Sequence, residues 1–138
     1  MSGVNILGAV YDRITESADA VNRLAVDPLT GNPAVYDTWA TDEIGPYIVM
    51  GFEAGEPDGR LMGAARVSLD LFDRRPTVQS RVDLWELRDH LVSLFDRYMA
   101  IGTGGAPRFF IANDEPIDED DGKMRGWRVS INVRYGRI

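Results

Sequence analysis

Apolar residues recur at helical spacing at the start of the chain, at Leu7, Val10, Tyr11, Ile14, Ala18, Val21 and Ala25, with Asp12, Arg13, Glu16, Asp19 and Arg23 between them. The pattern predicts one helix, or two with a break near residues 15–17, where Ser17 can cap the second. Asp19 and Arg23, four apart, are spaced to pair on one face. Pro28, Gly31 and the Asn32-Pro33 step end the helical stretch. The period then changes. Val35, Tyr36 and Trp39 predict a short strand, and the β-branched and aromatic run 46–53 a longer one that opens on proline. After the turn residues Gly55, Pro57, Asp58 and Gly59, Val67, Leu69 and Leu71 alternate with Ser68 and Asp70 in a strand over 66–73, and Phe72 breaks the alternation.

Pro76 is placed to open a helix. Between Thr77 and Met99 the apolar positions Val78, Val82, Trp85, Leu91, Leu94, Phe95 and Tyr98 repeat at threes and fours, which predicts a helix of about six turns. Gly102, Gly104 and Gly105 stop it. Two strands follow, over 107–116 and 125–135. In the second, Trp127, Val129, Ile131, Val133 and Tyr135 share one face, with Arg128, Ser130, Asn132 and Arg134 on the other. Strand pairs interrupted by one long helix predict an α+β fold. The sheet is antiparallel or mixed, of four to five strands, with the N-terminal helix or helices and the long helix packed on one face of a single domain, 1–138.

Composition narrows the function classes. With 138 residues, 44% hydrophobic and 27% charged, the chain has the balance of a folded domain. It has no cysteine, which excludes disulfides, thiolate metal sites and a cysteine nucleophile. No apolar run approaches a membrane span and no signal peptide opens the chain, so no membrane partner is expected. A formal charge of −7 argues against a general nucleic-acid coat.

The chemistry-bearing residue types are sparse. His90, the only histidine, lies one turn after Glu86, but a catalytic zinc site wants further histidines that do not exist here. The GTGGAP stretch follows a helix and lacks the phosphate-loop lysine. No Gly-x-Ser-x-Gly elbow occurs, and the pair Asp42-Glu43 falls in a turn. These patterns predict a non-enzymatic protein with no cofactor and no metal. Asp114, Glu115, Asp118, Glu119, Asp120 and Asp121 put six carboxylates within eight residues. Three readings stand: a hard-cation site without EF-hand spacing, a solvated hairpin end, or a charged rim that meets a partner. Lys123, Arg125, Arg128, Arg134 and Arg137 follow with no acid among them, so the domain has two unlike ends. Identical copies with such ends dock head to tail and make a ring if the rotation closes; pairing inside one hairpin is the alternative.

Taken in order, a helical N-terminus, a VYD strand (35–37), a PYIV strand (46–49), an RVSLDLFD strand (66–73), one long amphipathic helix, an acidic segment and an RVSINVRY strand (128–135) resemble the small tail-completion or tail-terminator proteins of long-tailed phages and related viruses. The resemblance spans roughly residues 7 to 135 and rests on short stretches and their order. It implies a virion protein, assembled in the host cytoplasm, that forms a ring, usually a hexamer, at the head-proximal end of the tail tube. Such a ring ends tube polymerisation and joins the tail to the head connector. Its partners would be copies of itself, the tail tube protein and the neck proteins, and DNA would pass its lumen without specific binding. Under this reading the contact candidates are Asp118, Glu119, Asp120 and Asp121, the strand residues Arg128 and Arg134, and the polar segment holding Glu53, Glu56, Asp58 and Arg60. Another neck or head-completion subunit, and a small-molecule-binding α+β domain, are the alternatives.

Overall fold

A computed structural model describes residues 3–37, 45–55, 62–101, 105–118 and 124–136. The elements are α1 (Gly3–Thr15), α2 (Ala18–Arg23), β1 (Val35–Tyr36), β2 (Tyr47–Ala54), β3 (Met62–Phe72), α3 (Val78–Phe95), β4 (Tyr98–Met99), β5 (Arg108–Asp118) and β6 (Met124–Gly136). The N-terminal helix breaks where expected. Ser17 caps α2 by accepting from the Ala20 N–H at 3.3 Å, and its Oγ also meets His90 Nε2 at 2.7 Å, so the sole histidine is a half-buried tie between two helices.

The fold is α+β, with a mixed sheet in the order β1-β2-β3-β6-β5-β4. β1 runs parallel to β2, and every other pairing is antiparallel. Six strands form where four to five were expected. The additional one, β4, falls inside the segment predicted as helix. α3 ends four residues early because Asp96 closes its last turn and Arg97 takes a left-handed φ of 59°. Tyr98 then pairs with Phe109 in the sheet, its ring stacked at 5.7 Å, and the Arg13 guanidinium lies 4.1 Å above it.

Alternation decides what is sealed. Val67, Leu69 and Leu71 of β3 and Val129, Ile131 and Val133 of β6 all point to one face. There they are buried with Ile6, Val10 and Ile14 of α1 and Leu84, Leu87, Leu91 and Phe95 of α3. Each such side chain contributes about 1.5–3 kcal/mol of burial. The apolar spacing of α3 points to the packed face at Leu91 and Phe95 but not in the first half of the helix. Ser80, Leu84 and Leu87 turn inward, whereas Val78 (81% exposed), Val82 (43%) and Trp85 (47%) form an outward row. Both rows have helical spacing, so periodicity alone could not choose between them.

Two further differences concern charge and strand length. Arg23 pairs with Glu86 of α3, tying α2 to its neighbour. β3 begins at Met62, four residues before the predicted start, because β6 continues opposite it to Gly136. A small second cluster lies on the other face at one corner, where Tyr47 is buried with Ala34 and stacks on Phe72 at 5.3 Å. That contact gives Phe72 its place outside the β3 core row. Phe72 also covers Gly126: a Cβ there would lie 2.5 Å from the Leu71 carbonyl oxygen and 2.8 Å from Phe72 Cδ1.

The β3–α3 connection is fastened by charge. Arg75 bridges Asp73, whose side chain is fully buried, and Asp83, each at 2.6 Å. Hydrogen bonds from Gln79 and then Arg75 hold the Asp83 carboxyl below its ordinary value of 3.8. A depressed folded-state value adds stability above the unfolded value, and this is lost as the pH falls through the folded one. In urea unfolding at pH 7, Asp83→Asn should be less stable than the parent by about 1 kcal/mol. The gap should persist to about pH 4 and close below it; a gap unchanged down to pH 2 would contradict the charge assignment.

Candidate interaction surface

The sheet face away from the helices carries the polar residues. Its rows follow directly from strand register. The corner row is Tyr47, Phe72, Gly126 and Ile117, covered in part by the connector after α2. The next is Val49, Asp70, Arg128 and Glu115, followed by Gly51, Ser68, Ser130 and Asn113, then Glu53, Arg66, Asn132 and Phe110. The last row sets Ala64 beside Arg134, and Arg134 beside Arg108.

Small residues in the middle row make an open groove of about 680 Å³ over the sheet, lined by Gly51, Ser68, Ser130 and Asn113 between Arg66 and Asn132 on one side and Glu115 and Arg128 on the other. A Cβ at Gly51 would lie 2.5 Å from Ser68 Oγ, so a larger residue there would have to displace that hydroxyl and narrow the groove.

Charges on this face are arranged unevenly. Arg128 is held by Asp70 in a two-point pair, Nε to Oδ1 at 2.7 Å and Nη2 to Oδ2 at 3.0 Å. Hydrogen bonding to Asp70, then its charge and that of Glu115, push the Arg128 guanidinium above its ordinary value. Arg66 reaches Asn132 Oδ1 at 3.4 Å. Arg108 and Arg134 are direct cross-strand partners, both exposed.

A bulge between Ile111 and Asn113 changes the parity of β5 and so decides which of the adjacent Asp114 and Glu115 faces which side. Glu115 stays on the open face, whereas Asp114 turns to the helix side. There it accepts from Arg88 Nη2 at 2.9 Å and Trp127 Nε1 at 3.2 Å. The Arg88 guanidinium carbon lies 5.0 Å from the Trp85 ring and 5.2 Å from the Trp127 ring. Asp114 is therefore part of a packed aromatic and charged cluster. Among the described residues no group of three His, Asp or Glu is placed to hold a metal ion.

Of the residues singled out in the sequence, Glu53, Arg128 and Arg134 come together on the open face, with Arg128 engaged by β3. Asp118 ends β5, while Glu56, Asp58, Arg60, Glu119, Asp120 and Asp121 lie outside the described residues, as do Trp39, Asp42, Glu43, Gly102, Gly104, Lys123 and Arg137. Arg66, Ser68, Arg108 and Asn113 also belong to the face. Alternation could have signalled the β3 pair, but only the register aligns Arg108 with Arg134. The chain matches no known protein-family model, and no curated protein sequence matches it.

A double-mutant cycle on Asp70→Asn and Arg128→Gln, read by urea unfolding, should give a coupling of roughly 0.5–1 kcal/mol. A coupling indistinguishable from zero would mean that Arg128 is not committed to β3.

Proposed function

We propose that this chain is a structural virion subunit, a ring-forming tail terminator that closes the head-proximal end of a tail tube and joins it to the head connector. The observation that carries the reading is the sheet itself. One face is sealed by helices, and the other is an open polar face on which Arg108 and Arg134 stand at the far end of the β5–β6 ladder from Asp118, the residue at which the acidic run of the sequence continues. A surface with unlike ends suits a heterologous contact between identical copies, the kind that closes into rings. The outward row of Val78, Val82 and Trp85 on α3 offers a second, apolar surface on the opposite side, of the sort that subunit contacts bury.

A net charge of −7 suits a lumen that DNA must traverse without being gripped. The reading also draws on the resemblance of the sequence, in the order of its short stretches, to the tail-completion proteins. Another neck or head-completion subunit of the same particle would use the same surfaces and differ in its position.

Purified chain added to polymerising tail tube protein should arrest growth and appear at one end of each tube by electron microscopy. Tubes that lengthen unchanged, with the chain left free in solution, would contradict the proposal.

A further inference from the structure

We infer that the open groove across the sheet is a binding site for a neutral oligosaccharide. Its floor is the row in which Gly51, Ser68, Ser130 and Asn113 lie side by side on β2, β3, β6 and β5. Ser130 is only 9% exposed, yet it lines the groove and its hydroxyl makes no hydrogen bond among the described residues. A buried polar group without a partner calls for one, and the open side of this one is the groove. The Ser68 hydroxyl beside it is also without a hydrogen bond among the described residues, and Gly51 leaves it uncovered. With the Asn113 side-chain amide, likewise unbonded there, three polar groups follow one another at the strand spacing of about 4.8 Å.

The chemistry of the lining selects the ligand. A serine hydroxyl and an asparagine amide each donate and accept, as the hydroxyls of a sugar do. The charged residues leave no excess for an ion. Arg66 stands beside Glu53 and Arg128 beside Glu115, and Asp70 already holds Arg128, so a phosphate finds no free cationic cluster. Glu53 and Glu115 lie on β2 and β5, at opposite ends of the groove, and make no acidic pair for a metal ion. A peptide strand would find the backbone groups beneath it already used within the sheet. The groove crosses four strands and holds about 680 Å³, room for a short chain of sugar rings. Phe110, 42% exposed, ends the row of Asn132 and offers an apolar surface to the C–H face of a ring. The site belongs to the single chain and goes beyond the ring reading; copies that assemble over this face would cover it.

Titration of the unassembled chain with maltotriose, cellotriose, mannotriose and triacetylchitotriose, followed by nuclear magnetic resonance, tests it. At least one should bind saturably with a Kd of about 1 mM or tighter and shift the amide signals of Ser68, Asn113 and Ser130. Ser130→Val and Ser130→Thr fill the same space and differ only in the hydroxyl. The first should weaken that binding about tenfold or more, and the second should keep it within about threefold, with both folded by circular dichroism. Ser68→Ala, at the neighbouring hydroxyl, should weaken it by about threefold or more. No saturable binding by any of the four sugars, or shifts confined to other residues, would overturn the inference. So would equal affinity in the two Ser130 variants, parental affinity in Ser68→Ala, or tighter saturable binding of inorganic phosphate at the same residues. None of these results bears on the capping of tail tubes, so the tail-terminator reading stands or falls separately.

Discussion

Strand β6 is hydrogen-bonded along both edges, to β3 from Phe72 through Met62 and to β5 from Asp118 through Arg108. Its strict alternation forces Val129, Ile131 and Val133 to one side and Arg128, Ser130, Asn132 and Arg134 to the other. A one-residue slip in either pairing would exchange the two sets and bring arginines against α3. The helices, the core and the open face all depend on that register. Its two-sided pairing also explains why β3 extends to Met62: with β6 continuing opposite, backbone groups there find partners without further cost.

The elements with a single apolar face were legible in the sequence. β6, the N-terminal helices with their break at Ser17 and the middle of β3 form as their periodicity predicts, because one burial pattern satisfied each of them. α3 was legible as a helix, and at Leu91 and Phe95 in its orientation, but not in its first half, where Leu84 and Leu87 compete with Val82 and Trp85 for the inward face. Packing against α1 and the sheet chose between them. Its C-terminal end was hidden for a different reason. Tyr98 continues the helical apolar spacing, yet its ring is better accommodated against Phe109 and beneath Arg13, at the expense of a left-handed residue at Arg97.

The candidate surface was legible in part. Alternation along β6 puts Arg128 and Arg134 on one face without any structure, but it cannot say that Asp70 holds Arg128 or that Arg108 stands opposite Arg134. Those are facts of register between strands. The acidic stretch shows the same limit at closer range. Asp114 and Glu115, adjacent in the acidic stretch, are parted by strand alternation, and the bulge before them decides that Asp114 goes to Arg88 and Trp127 while Glu115 faces outward.

The account's central claim is the proposal that the open face of the sheet is a working surface, covered when copies assemble. The chain has no cysteine, so a single introduced thiol reports directly on that coverage. Ala64→Cys lies beside Arg134 in the last row of that face, and Asp12→Cys lies on the exposed side of α1. The account predicts that maleimide labelling at residue 64 slows at least tenfold on passing from dilute monomer to concentrated assembly, with residue 12 unaffected. Equal labelling at residue 64 in both states, or protection at residue 12 in its place, would contradict it.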